Sequence, residues 1–229
     1  MRRFFITGTD TEIGKTFVAC ALIHTFRQRG LRVAPMKPIA AGTILLDGVN
    51  ANEDVHALVA AYGKPIAPSL VNPYCFNEAI APHIAAAHES CVVDLDIIQN
   101  AYNALSASHD TVLVEGAGGF LVPLSATESM SILPTTLKLD VILVVGMRLG
   151  CLNHALLTAE AIRARGLHLA GWVANTVDAN MSCFAENVAT LEATLPAPCL
   201  GTVPRLPHVE PTVSAKVAAT FLEIEPLLH

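Results

Sequence analysis

The sequence predicts an α/β fold: a mostly parallel central sheet with helices on both faces, in a single domain spanning residues 1–229. Three observations carry this expectation. Short apolar runs of strand length alternate with longer segments of helical pattern along the whole chain. The runs are apolar nearly throughout rather than at every second position, as parallel strands covered on both faces require. The length of 229 residues, with 52% apolar and 15% charged side chains, suits one core that buries roughly 70% of the chain's surface.

The elements follow in order. Arg2 and Arg3 lead straight into Phe4-Phe5-Ile6, with no long apolar region and no small-residue cleavage site. Residues 3–7 therefore read as a first strand rather than a signal peptide. A helix is expected over 15–29, a second strand over 31–36, and a helix over 52–62 that opens on the acids Glu53 and Asp54. Residues 65–82 hold four prolines and are expected to be irregular. A helix over 95–106 precedes the strand 111–115. The strand 141–145 is the strongest apolar run. A helix over 153–165, a strand over 169–174, a helix over 183–194 and a strand over 199–203 complete the alternation. Residues 204–211 are turn-rich. Ligands of such sheets bind beyond the carboxyl ends of the strands, so motifs at those ends carry most weight.

Composition excludes several classes. The net charge of −6 argues against a protein held to nucleic acid by a broad basic surface. Mean hydropathy is high at +0.49, but no apolar stretch approaches the ~18 residues of a membrane span. The apolar excess reads as core, with room for a subunit interface. Six cysteines without a Cys-x-x-Cys pair read as reduced thiols of a cytoplasmic protein.

The first strand ends in Gly8-Thr9-Asp10-Thr11-Glu12-Ile13-Gly14-Lys15-Thr16, and a long amphipathic helix follows. Gly-Lys-Thr at a strand-to-helix turn is phosphate-binding chemistry. Backbone N–H groups surround the phosphate oxygens, the lysine adds mobile charge, and the threonine hydroxyl suits Mg²⁺. Thr9 stands where the strict Gly-x-x-x-x-Gly-Lys-[Ser/Thr] pattern has its first glycine, and Gly8 falls one residue early. Glu115 ends an apolar strand before Gly116-Ala117-Gly118-Gly119 and is the first acidic ligand candidate for Mg²⁺, which keeps several waters and needs few carboxylates. Asp54 is a second, although an acid at a helix start also has a plain dipole role. Lys37, one of five lysines, precedes Pro38 in a stiff extended segment. That suits a cation presented into a site, and equally a surface lysine.

Taken together, Gly8 to Thr16, Lys37-Pro38, Val71-Asn-Pro-Tyr74, Pro82-His-Ile84, Val114-Glu-Gly-Ala-Gly-Gly119, Val144-Val-Gly146, Leu149-Gly-Cys-Leu-Asn-His-Ala155 and Gly171-Trp-Val-Ala-Asn175 resemble the dethiobiotin synthetase family, in family order. The resemblance implies a P-loop ATPase fold acting as a homodimer. It implies ring closure on 7,8-diaminononanoate with CO2 and MgATP, through a carbamate and a carbamic–phosphoric anhydride. ATP would lie against Glu12, Ile13, Gly14, Lys15, Thr16 and Phe17. Further nucleotide contacts would come from Asp54, Glu115, Gly116, Ala117 and Gly118. Asn175 and Thr176 would lie at the adenine, beside Pro204, Arg205 and Leu206. Thr16, Asp54 and Glu115 would surround Mg²⁺. Lys15 and Lys37 would be catalytic, with Thr11, Lys37 and Ala41 at the diamine. Gly150, Cys151, Leu152 and Asn153 would hold the substrate carboxylate from the partner subunit.

Ala41 departs from the resemblance, because the family carries a hydroxyl residue there that contacts the carbamate. Thr43 is a candidate replacement. The departure keeps an alternative in play: a P-loop ATPase of the same fold with a changed or lost diamine substrate. Glu210 is a further ribose candidate. His83, His88, His154, Trp172, Arg163 and Arg165 are expected to be structural or solvated.

Overall fold

The computed structural model describes residues 2–46, 48–206 and 211–228. The first half of the chain forms β1 (Arg2–Gly8), α1 (Lys15–Gln28), β2 (Val33–Met36), β3 (Ile39–Ala41), β4 (Ile44–Leu46), β5 (Val49–Ala51), α2 (Glu53–Tyr62), α3 (Pro68–Val71), β6 (Tyr74–Phe76), α4 (Pro82–His88) and α5 (Leu95–Ser108). The second half forms β7 (Thr111–Gly119), α6 (Ile132–Leu137), β8 (Asp140–Met147), α7 (Cys151–Ala164), β9 (Leu169–Thr176), α8 (Phe184–Thr194), β10 (Cys199–Val203) and α9 (Pro211–Ala218).

Six strands form the main sheet in the order β10-β9-β8-β1-β7-β2, and every pairing in it is parallel. All six carboxyl ends therefore lie along one edge. Alternation along β1 divides the core. Phe4 and Ile6 pack with α1, α2 and α9 on one face. Phe5 packs with α4 to α8 on the other. Each such large side chain, fully buried, contributes about 1.5–3 kcal/mol. Trp172 is wholly buried in the second cluster, as expected of a core residue. Among the described residues no helix is long and apolar enough to cross a membrane.

The structure corrects the expectation for residues 65–82. Pro68 and Pro82 open α3 and α4, where the missing N–H has no intrahelical partner to lose. Pro73 directly precedes β6, which pairs in parallel with β3 beyond the edge of the main sheet. Three of the four prolines stand at the starts of elements here rather than breaking them. The strand expected over 111–115 runs on past Glu115 through Gly116 to Gly119 as part of β7, with Gly8 paired to Gly119 after a register shift. The helix expected over 153–165 starts at Cys151, right after Gly150. Pro211 opens a helix instead of closing a turn. Glu210 lies outside the described residues.

Candidate active site

The phosphate loop leaves β1 at Gly8 and enters α1 at Lys15. Thr9 anchors it to the end of β8: its N–H donates to Val144 O at 3.0 Å, and its hydroxyl accepts from Gly146 N at 3.2 Å. A glycine, as in the strict pattern, could not make the second bond. Gly14 caps α1 at φ 83°, and a Cβ there would collide with Asn175 Nδ2. Glu12 adopts φ 56° without being glycine, a conformation of the kind that costs about 1–3 kcal/mol and persists where surrounding structure enforces it. Lys15 is 7% exposed and its Nζ donates to Asp10 O at 2.7 Å. Burial pulls its pKa below the ordinary 10.5; Glu115 opposes this and Lys37 adds to it. The Asp10 carboxylate accepts from Thr11 N at 2.8 Å and pairs with Arg148.

Beside the loop, Lys37 gathers both predicted acidic ligands. Its Nζ lies 2.6 Å from Asp54 Oδ2 and 2.6 Å from Glu115 Oε1. Thr16 donates its hydroxyl to the same Glu115 Oε1 at 2.7 Å. Lys37 is 4% exposed and Glu115 1%, so the surface-lysine alternative is excluded. Burial alone pulls the Lys37 pKa down, but the Glu115 and Asp54 carboxylates outweigh it and hold it above 10.5. Burial likewise pushes Asp54 up, and Lys37 outweighs it by charge and hydrogen bond, leaving it below 3.8. Asp54 does stand in the first turn of α2, so its dipole role and its contact with Lys37 coexist. Asn52 caps that turn by accepting from Val55 N at 3.2 Å. It also donates to Gly42 O at 2.7 Å, tying α2 to the end of β3.

These groups line a cavity of about 840 Å³ with Thr11, Glu12, Gly14, Phe17, Ala41, Ala117 and Gly118. Ala79, Ile80, Ala81, Pro82 and Val122 complete its wall and had no role in the sequence reading. Pro82 was visible only inside the Pro82-His-Ile84 block. The Ile13 side chain is buried, and a Cβ on Gly116 would stand 2.7 Å from the Phe5 ring, so neither residue presents a side chain to the cavity wall. Asn175 lies behind the loop and donates Nδ2 to Ile13 O at 2.7 Å. Thr176 follows it at the end of β9. Pro204 and Leu206 flank Arg205, whose guanidinium donates to Val177 O at 2.9 Å. Gly150, Cys151, Leu152 and Asn153 are not in the cavity wall. They form the start of α7, where Gly150 has φ 93° and the neighbouring Leu149 is 96% exposed. Cys151 is buried and its N–H donates to Arg148 O at 3.0 Å.

Thr43 does not replace the hydroxyl missing at Ala41. Its Oγ1 donates to Asn77 Oδ1 at 3.3 Å, away from the cavity wall. His88 pairs with Glu78 at 2.8 Å. Arg165 lies 5.7 Å over the Phe120 ring, so it is more than a solvated helix end. Among the described residues no group of three or more His, Cys, Asp and Glu side chains is arranged to hold a metal. Two carboxylates and a threonine hydroxyl nevertheless suit Mg²⁺, which takes much of its shell from water and phosphate. Glu115 Oε2, buried with no hydrogen-bond partner among the described residues, is the kind of hard oxygen such an ion uses.

Residues 2–213 match the AAA domain family. The chain is 48% identical to the ATP-dependent dethiobiotin synthetase BioD of Cellvibrio japonicus (strain Ueda107), covering 99% of this chain and 98% of that one. It is 50% identical to the protein of the same name from Aromatoleum aromaticum, with 96% of each covered. In fold alone it is similar to the MinC:MinD cell division protein complex of Aquifex aeolicus, with a TM-score of 0.55 at 13% identity over 95% of this chain and 86% of that one. Chloroplast FtsY from Physcomitrella patens gives a TM-score of 0.52 at 18% identity over 95% of this chain and 64% of that one. The architecture is that of the P-loop NTPases. With half of its residues shared across nearly its full length, the chain belongs to the ATP-dependent dethiobiotin synthetase family.

Proposed function

We propose that this chain closes the ureido ring of dethiobiotin on 7,8-diaminononanoate, using CO2 and MgATP, as a step of biotin biosynthesis. The carrying observation is the near-half identity, over almost the whole chain, to relatives named for that synthesis. The cavity chemistry supports it. One amine of the substrate adds to CO2 and loses a proton, giving a carbamate. A carbamate oxygen attacks the γ-phosphorus of ATP and ADP leaves. The second amine attacks the resulting anhydride at its carbonyl carbon, loses a proton, and expels phosphate as the ring closes. Such steps need positioning and charge stabilisation more than covalent help.

Lys15 would hold the β/γ-phosphates, with the N–H groups at the start of α1. Its partner here is a neutral carbonyl, which leaves the cation free to take an anionic one. Lys37 would lie over the transferring phosphoryl group and the carbamate. Thr16, Asp54 and Glu115 would hold Mg²⁺, which supplies charge neutralisation at the phosphates. Two of those ligands hold Lys37 here, so lysine and metal would share one pair of carboxylates. Thr11 and Ala41 would face the diamine. Glu12 to Phe17, with Ala117 and Gly118, would line the nucleotide, and Asn175 to Thr176 and Pro204 to Leu206 would flank its base.

We take residues 1–229 as one domain working as a cytoplasmic homodimer. The absence of Gly150 to Asn153 from their own cavity wall and the exposure of Leu149 and Leu157 suit a helix start lent to a second subunit. The missing hydroxyl at Ala41 favours one alternative, a P-loop ATPase of the same fold with a changed or lost diamine substrate. A steady-state assay with MgATP, bicarbonate and 7,8-diaminononanoate tests both readings. One phosphate released per ureido product, detected by mass spectrometry, is expected. Nucleotide turnover that ignores the diamine, with no ring product, would replace this reading with the alternative.

A further inference from the structure

We infer that Asn72 is a positioning residue for Lys37. This deepens the proposed function and rests on Lys37 meeting the phosphoryl group and carbamate. Lys37 sits between the end of β2 and Pro38. Its N–H donates to Val71 O at 2.8 Å, and one residue later Tyr74 N donates to Pro38 O at 3.0 Å. Between these two bonds the Lys37 carbonyl receives no backbone donor among the described residues. Two prolines, Pro38 and Pro73, bring no N–H to this junction. Asn72 supplies what they lack. Its Nδ2 donates to Lys37 O at 2.6 Å and to Tyr74 O at 2.9 Å, one carbonyl on each side of the junction.

Facing two acceptors, the Asn72 amide can present only its NH2 group, because its oxygen there would repel both. The bond therefore has one sense and fixes the Lys37 peptide plane. The plane sets the direction in which the long Lys37 side chain leaves the backbone, and hence its approach to Asp54 and Glu115. Asn72 itself is not in the cavity wall, so it touches no substrate. It belongs to the Val71-Asn-Pro-Tyr74 block, for which the sequence suggested no role.

The test compares Asn72→Asp, which keeps the shape but removes both donors, with Asn72→Ala and with Asn77→Ala. Asn77 lies just beyond the far end of the same strand pair, where it holds Thr43 and Glu89. Ring closure by the two Asn72 variants is expected to fall in kcat by roughly 100-fold, as for an approximately 1 Å misplacement of a reacting group. ADP affinity is expected to stay near wild type, and Asn77→Ala is expected to turn over as wild type does. Brief acetylation with acetic anhydride, mapped by mass spectrometry, gives a readout that needs no reaction. Lys37 is expected to be protected in the wild type and labelled far faster in the Asn72 variants, with Lys138 as the unchanged reference. Wild-type kcat with unchanged Lys37 labelling would overturn the inference. So would a parallel loss of ADP affinity and of kcat. A wild type without ring product would remove the proposed function but leave the labelling test standing.

Discussion

Lys15 and Lys37 are two buried lysines at the same sheet edge, and their surroundings move them in opposite directions. Lys15 has a backbone carbonyl as its hydrogen-bond acceptor, and burial lowers its pKa. Lys37 has two carboxylates at 2.6 Å, and they raise it. The difference separates two tasks. A cation without a charged contact gains most when an anionic ligand arrives. A cation already neutralised gains little, but it is held in place, and it keeps two carboxylates from standing side by side unpaired. The phosphate loop is thus a receptor, whereas the Lys37 cluster is a pre-assembled charge network.

The largest expected effect breaks this comparison at the level of rate. Lys15→Ala and Lys37→Ala should each lower ring closure by about 100- to 1000-fold, the usual result of removing one transition-state charge donor. They should differ in binding. Lys15→Ala should also weaken MgATP, by titration calorimetry, while Lys37→Ala should leave nucleotide affinity near wild type. An equal loss of affinity in both would show that the two lysines are not divided in this way.

Stability should separate them further. Lys37→Ala leaves Glu115 buried and unpaired, a loss of about 3–5 kcal/mol, or roughly 6–20 °C in Tm at this chain length. Lys15→Ala removes a desolvated cation whose bond is to a carbonyl, so its Tm should not fall by a comparable amount. The pH dependence has a definite sign. The folded pKa of Lys37 lies above 10.5, so its contribution is whole below 10.5 and disappears as pH rises through the folded value. Asp54 lies below 3.8, so its contribution is present above 3.8 and disappears as pH falls through the folded value. Lys37→Met should flatten that acid limb, because Lys37 is what holds Asp54 down. Tm followed from about pH 6 to about pH 2 for both proteins checks this.

The two regions also differed in how much the sequence revealed. The phosphate loop is local: a strand, a glycine-bearing turn, Lys15, Thr16 and a helix lie in one stretch, and their geometry follows from that order. Glu115 was legible for the same reason, as an acid ending an apolar run. Lys37 was visible as a stiffened lysine, but its partners lie 17 and 78 residues away, and no local pattern brings them together. The wall at Ala79 to Pro82 depends on the pairing of β3 with β6, strands of three residues each that are too short to show a period. Pro68, Pro73 and Pro82 mark starts of elements, which composition alone cannot tell from breaks. Asn175 was expected at the adenine from resemblance. Its bond to the Ile13 carbonyl joins residues 162 positions apart, which no local pattern brings together.

Gly14→Ala sharpens the receptor side. At φ 83° a side chain costs about 1–2 kcal/mol, and the new methyl would also displace Asn175 from Ile13 O. The loop should reorganise, so MgATP affinity should fall by more than about tenfold, the equivalent of 1.4 kcal/mol. The Lys37 network, which Gly14 does not touch, should retain its acid-limb behaviour. If affinity stays at wild type, the left-handed turn at Gly14 is not what shapes the phosphate site.

The smallest expected effect lies on the wall next to the charge network. Ala41 presents a methyl where the resemblance expects a hydroxyl, and Thr43 is turned to Asn77. Ala41→Ser adds a donor on the cavity surface without adding a branch that Asn52, bonded to the adjoining carbonyls at 2.7 and 3.4 Å, would have to accommodate. One added neutral hydrogen bond stabilises by about 0.5–1.5 kcal/mol, roughly tenfold at most. The KM for 7,8-diaminononanoate should therefore fall by a few-fold up to about tenfold, with kcat and the KM for MgATP unchanged. That split would place the departure in uniform substrate binding rather than in phosphoryl transfer. A rise in kcat instead would mean that the hydroxyl acts on the carbamate only in the transition state, and Ala41 would then belong with Lys37 rather than beside it.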